Sequence, residues 1–229
     1  DWLHLHHEDF TGQYDKFWAY YRNQPWFIER KNEYEAMAKK HGFKDVPALK
    51  LGVAQKIKAF CAGGGFLFAM CTATDTYDIA LSAENVDIVD HMFDGTPPES
   101  GFQQKIDYSK TLAFKDYKVY PQATLNEFSN IDNQLKERGL NENNDFFQLF
   151  EFSAKWDPVP TMLTQNHEKV INGFMGQTTG YKKELIKSNV IIMAENQTIN
   201  EAKYIHGILG KGQWTFYGGH DPEDYQHFV

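Results

Sequence analysis

Apolar and polar residues alternate from the start of the chain, Trp2-Leu3-His4-Leu5-His6. This predicts a strand over residues 1–6 with His4 and His6 on one face. Thr11-Gly12 breaks it. Tyr14 to Tyr21 is aromatic-rich and predicts a helix. Pro25 suits the first turn of a helix running to about Lys40, where His41-Gly42 ends it. Pro47 opens another, and Val53, Ile57, Phe60 and Cys61 at helical spacing give that helix a buried face. Gly63-Gly64-Gly65 stops it, and the unbroken apolar run Phe66 to Met70 predicts a parallel strand covered on both faces. Thr76 to Leu81 reads as a short helix.

Strand, helix, strand and helix in that order predict an α/β fold with a parallel sheet. From Thr96 to Asn144 the chain is polar, with Pro97-Pro98, Gly101, Pro121 and an Asn-rich stretch. Strand-like pieces fall at 111–120 and 146–153. This reads as a partly β insertion at about 96–160 lying over the sheet edge or the site, within a single domain of residues 1–229. Apolar runs resume at Val190–Ala194 and Ala202–His206. Gly210-Lys211-Gly212 predicts a hairpin turn and Trp214–Tyr217 the last strand.

Composition narrows the partners. Twenty-three basic residues against thirty-one acidic ones give a net charge of -8. That disfavours nucleic acid and anionic membranes, whose phosphates need a basic surface. No apolar run approaches the 18 or so residues of a membrane span. Cys61 and Cys71 are too few for a disulfide framework and leave cytoplasm and periplasm both open. The chain begins at Asp1 with no initiating Met, which suggests a piece of a longer protein with a missing N-terminal segment or domain. The sequence gives no oligomeric state.

Three places carry candidate chemistry. Cys71 follows an apolar strand and precedes Thr72-Ala73-Thr74-Asp75 and a helix. Such a turn lies at the carboxyl end of a parallel sheet, where ligands bind. A helix N-terminus also lowers a thiol's pKa. The small residues Ala69 and Ala73 on either side suit a nucleophile elbow, while a buried structural cysteine is the plain alternative. Gly218-Gly219-His220-Asp221-Pro222-Glu223 follows the last strand. A histidine beside carboxylates is the base-and-orienter half of a nucleophilic site, although Asp221-Pro222 is also a good helix start. His4-Leu5-His6-His7-Glu8-Asp9 could in principle ligate a metal, but its spacing matches no zinc pattern. A hydrogen-bonding role for His7 and Glu8 beside Cys71 fits better. Gly63–Gly65 precedes a strand and lacks a following Lys-Ser or Lys-Thr, so it is no phosphate loop. Nothing in these patterns calls for a cofactor or a metal.

The segment AQKIKAFCAGGGFLFAMCTATDT resembles the helix–GGG–strand unit of the ThuA-like (trehalose-utilisation) family. The tail GKGQWTFYGGHDPEDY resembles that family's closing strand and Gly-His-Asp turn, and DWLHLHHEDF fits the opening strand. The resemblance covers the two ends of the chain. It implies a class I glutamine-amidotransferase-like domain with a flavodoxin-like, mostly parallel sheet and helices on both faces. It also implies Cys71 as nucleophile, His220 as catalytic histidine with Asp221 or Glu223 as its partner, and His7, Glu8, Thr72 and Asp75 around the oxyanion and substrate. Two departures stand out: Pro222 occupies the position of the expected glutamate, and Met70 and Thr72 flank the thiol where glycines are usual. Similar proteins sometimes carry the label asparagine synthetase B. Residue 1 is Asp, not the nucleophilic Cys such enzymes use, and no Ser-Gly-Gly-x-Asp-Ser loop occurs. The expected function is a thiol-dependent hydrolase acting on a small amide or ester. The alternative is a non-catalytic or carbohydrate-associated binding protein on the same fold, with a sugar-sized cleft lined by aromatics and His4, His6 or His167.

Overall fold

The computed structural model describes residues 1–132, 146–149, 170–172 and 178–219. Its sheet is formed by β1 (Trp2–His6), β2 (Phe66–Met70), β3 (Phe146–Leu149), β4 (Val170–Asn172), β5 (Tyr181–Lys182), β6 (Ile191–Asn196), β7 (Glu201–Leu209) and β8 (Gly212–Tyr217). The order across the sheet is β1-β2-β8-β7-β6-β3-β4, with β5 pairing β7. The pairs β1–β2 and β2–β8 are parallel, and the other pairs are antiparallel. The α/β class expected from the sequence holds. Its parallel part, β1-β2-β8 with helical crossovers, is consistent with a flavodoxin-like arrangement. The whole sheet is mixed, because β3 to β7 join it through antiparallel pairings, which meet the parallel part at the β7–β8 hairpin at Gly210-Lys211.

Three long helices serve the parallel part: α2 (Pro25–Lys40), α3 (Val46–Ala62) and α4 (Thr72–Ser82), with the short α1 (Trp18–Tyr21) ahead of them. Asp45 caps α3, its carboxylate accepting the Ala48 N–H at 2.8 Å. Leu5, Leu67, Ala69, Trp214 and Phe216 point to one side of the sheet and form a core with Ala54, Ile57 and Cys61 of α3 and Ala73 and Tyr77 of α4. The described crossover helices therefore lie on one face, where both faces were expected to be covered. Right-handed crossovers from β1 to β2 to β8 step the same way across the sheet, which puts their helices on the same side.

The opposite face carries rings. Trp2, Phe66, His4, Phe68, Tyr204 and Tyr217 form a chain of ring contacts with centroids 5.2–6.5 Å apart. Trp2 at its edge is 67% exposed.

Two local expectations change. Residues 14–21 are not one helix: Tyr14, Asp15 and Lys16 are left-handed, with φ of 51°, 58° and 60°, and α1 begins only at Trp18. Residues 111–120 form no strand. Only the isolated bridges Phe114–Ile186 and Val119–Ser129 occur there. The N–H groups of Leu112, Ala113 and Phe114 go instead to the buried Asp78 carboxylate on α4, at 2.7, 2.7 and 2.9 Å. From this part of the chain Leu112, Phe114, Tyr117, Val119, Phe128 and Ile131 are part of the core.

Candidate functional site

The carboxyl ends of β1, β2 and β8 meet at Cys71. Its backbone has φ 54° and ψ -136°, a conformation that a residue with a Cβ adopts only under constraint. The constraints are visible. The Cys71 N–H donates to the Tyr217 carbonyl at 3.2 Å. The Cys71 carbonyl accepts from the Thr74 N–H at 3.1 Å and from the Thr74 hydroxyl at 2.6 Å. Ala69 and Ala73 on either side are small and fully buried. α4 departs at once, and all of its residues are buried. It starts at Thr72, not at the expected Thr76, because its polar side chains find partners within the core.

The thiol itself is 0% exposed. Burial pushes its pKa up to about 12, with the neighbouring Asp75 and Asp132 carboxylates acting the same way against a bond from the Thr72 backbone. The helix terminus expected to lower it loses to desolvation. Cys71 is therefore a neutral thiol at pH 7 and needs a base to act as a nucleophile. Asp75 lies one helical turn further on, and burial pushes its carboxyl up to about 8. It accepts the Thr178 hydroxyl at 3.0 Å. Asp132 accepts the Thr179 N–H at 2.9 Å. Tyr181 is fully buried beside Thr74, Asp75 and Asp132, and burial raises its phenol strongly. Cys61, by contrast, is plain core: its Sγ donates to the Gln213 carbonyl at 3.3 Å.

On the β1 side, His7 is left-handed at φ 62°. Glu8 accepts the His6 N–H at 2.9 Å through Oε2. The Thr76 hydroxyl of α4 donates to the Glu8 carbonyl at 3.0 Å and accepts the Phe10 N–H at 3.2 Å, which fastens the 7–10 loop to the helix that follows Cys71. On the β8 side, Gly218 donates to the Lys203 carbonyl at 2.7 Å and Gly219 to the Thr178 carbonyl at 3.0 Å. A Cβ on Gly218 would sit 3.0 Å from the Thr179 carbonyl oxygen, a tight approach that a larger residue would have to push apart. His220, Asp221, Glu223 and His167 lie outside the described residues.

Of the residues expected at the site, Cys71, Thr72 and Asp75 share the elbow, and His7 and Glu8 occupy the adjoining strand end. Thr74, Asp132, Thr178 and Tyr181 were missed. Thr74 stands inside the Thr72–Asp75 stretch, while Asp132, Thr178 and Tyr181 carry no spacing signal, since they lie far from it in sequence. Among the described residues no group of three or more His, Cys, Asp or Glu side chains could hold a metal ion. No helix in them is long and apolar enough to cross a membrane.

No protein-family model and no curated protein matches the chain. Among solved structures, it is similar to the cytoplasmic protein STM1381 from Salmonella typhimurium LT2, at 13% identity and a TM-score of 0.36. That match covers 76% of this chain and 51% of the other, so the chain spans about half the length of that protein.

Proposed function

We propose that the chain is a thiol-dependent hydrolase acting on a small amide or ester, with Cys71 as nucleophile and His220 as base. The His220 imidazole takes the thiol proton, the sulfur attacks the carbonyl carbon, and the amine or alcohol leaves with that proton. Water then cleaves the thioester. One observation carries the reading: a Cβ-bearing residue is held at φ 54°, ψ -136° where a parallel strand turns into a buried helix. Strain of this kind, about 1–3 kcal/mol, persists where the surroundings enforce it, and it gathers at functional sites. The resemblance of the sequence to ThuA-like proteins supports the same residues.

The test is mass spectrometry after iodoacetamide treatment of the folded protein at neutral pH. Selective labelling of Cys71 over Cys61, lost in His220→Ala, is the expected result. An inert Cys71 in folded protein, with both thiols labelled after denaturation, removes the nucleophile.

A second reading, a non-catalytic binding protein on the same fold, draws on the sealed neutral thiol and on the ring-lined sheet face that includes His4. Thermal stabilisation by saccharides and not by amides would favour it.

A further inference from the structure

β1 is the end strand of the sheet, and among the described residues it pairs with β2 alone. Trp2 is level with Phe66, whose N–H donates to the Asp1 carbonyl at 3.0 Å. Backbone groups alternate in direction along a strand. Leu3 and Leu5 therefore turn theirs to β2, while Trp2, His4 and His6 turn theirs outward. One of these outward groups is already taken: the His6 N–H donates to the Glu8 carboxylate at 2.9 Å.

An open edge is a template for pairing with another chain. Proteins blunt it with charge, proline, a bulge or brevity. β4, at the other end of the sheet, is three residues long. β1 has five, Trp2 to His6, with no Asp, Glu, Lys, Arg or Pro among them. It runs beside β2 in unbroken register. Its Trp2 and His4 side chains are exposed to solvent, and Trp2, His4 and His6 stack in a row with centroids 6.1 and 6.3 Å apart.

We propose that two copies of this chain join edge to edge through β1, antiparallel about a two-fold axis at His4. This register uses the outward groups as they stand. His4 exchanges N–H···O=C bonds with His4 of the second copy, and each Trp2 N–H reaches the His6 carbonyl opposite. The His6 N–H keeps Glu8. On the ring-bearing face Trp2 then packs against His6 of the second copy, and on the other face Leu3 meets Leu5. Charge favours the same place. A chain of net charge -8 repels its copy, so two copies meet best where the contact strand carries no acid. The contact is self-complementary, as a two-fold interface requires, and it makes one continuous sheet of the two.

The test is sedimentation velocity of the whole chain at neutral pH, over a range of concentrations. The expected mass is twice the 26.5 kDa of one chain. His4→Pro removes an outward N–H and leaves the bonds to β2 in place, a position where an edge strand tolerates proline. Trp2→Lys puts a charge on the edge. Each should restore the monomer mass at concentrations where the unaltered chain is dimeric, with circular dichroism as the check on folding. If His4→Pro does not fold, Trp2→Lys still decides. The register has its own test. In a hydrogen-bonded antiparallel pair the Cα atoms lie about 5.5 Å apart, within disulfide reach. Oxidised His4→Cys should therefore run as a covalent dimer, and Trp2→Cys, which faces position 6, should not. Cys61 and Cys71 are buried, and the unaltered chain under the same oxidant is the control. A monomer at high micromolar concentration overturns the proposal and leaves the edge to a partner of another kind. So does a dimer that survives both edge variants, or one that Trp2→Cys cross-links as well as His4→Cys.

Discussion

The Thr178 hydroxyl donates to the Asp75 carboxylate at 3.0 Å, across 103 positions of sequence. The bond ties the strand region after residue 178 to the first turn of α4, one turn from Cys71. Asp75 is wholly buried, and desolvation pushes its carboxyl up to about 8, with Asp132 adding to the effect. An acid whose folded pKa lies above its unfolded value of about 3.9 binds its proton more tightly when folded. Stability from that proton is full below pH 4 and is lost as pH rises through 8. Asp78 and Asp15 are raised only to about 6, so of these carboxyls Asp75 alone still titrates from pH 6 to 8. Burial lowers Lys16 to about 8, which acts with the opposite sign at the top of that interval and is common to both proteins compared below. Thermal and urea melts over that interval should show stability falling by up to about 1.4 kcal/mol per pH unit. Asp75→Asn, which keeps an oxygen for Thr178 and cannot ionise, should flatten the slope. An equal slope in both proteins would show that Asp75 is ionised throughout.

The elbow makes a prediction that runs against ordinary propensities. Replacing a residue by glycine normally costs more than replacing it by alanine, by about 0.5–1 kcal/mol. At φ 54°, ψ -136° the order should invert, because glycine adopts this backbone without a Cβ clash. Both substitutions remove the sulfur from the core, so that loss cancels in the comparison. Urea denaturation should find Cys71→Gly more stable than Cys71→Ala by about 1 kcal/mol. The usual order would mean that Cys71 is unstrained, and the main support for its role as nucleophile would go.

Much of the parallel half was legible because each element there has one buried side and a clear end. The alternation of Trp2–His6, the apolar run Phe66–Met70 and the helix between Pro47 and the glycine triplet all appear where expected. What failed has a common cause: hydrogen bonds made by polar side chains, which hydrophobic periodicity does not register. Residues 112–114 look like a strand, yet their N–H groups belong to Asp78, more than thirty positions earlier. The aromatic run from Tyr14 looks helical, yet Lys16 and Asp9 hold its first residues left-handed. The opening Thr72-Ala73-Thr74-Asp75 looks like a polar loop. It is buried helix, because Cys71 and Thr178 occupy its polar groups. At the site, the thiol's place at a strand end was readable from order alone. Its burial was not, since Asp132, Thr178 and Tyr181 come from a region where hydrophobic periodicity is weak.

Gly212 offers the sharpest test of how the site's scaffold closes. It opens β8, the strand whose last carbonyl holds the Cys71 N–H. A Cβ there would fall 1.9 Å from the Cys61 carbonyl oxygen and 2.3 Å from that of Gly65. Both obstacles are backbone, at the end of α3 and the start of β2, so no rotamer change relieves them. Gly212→Ala must push β8 away from α3 or break the register of β8 with β2, in which Gln213 faces Phe66. The expected cost is about 3 kcal/mol or more, at the upper end of overpacking effects. Urea denaturation would measure it in any soluble variant. Gly64→Ala serves as the control: its nearest obstacle is the Lys211 Cβ at 3.9 Å, and only its φ of 118° opposes substitution. If Gly212→Ala is no worse than Gly64→Ala, the close approach of β8 to α3 is wrong, and with it the support that sets the elbow.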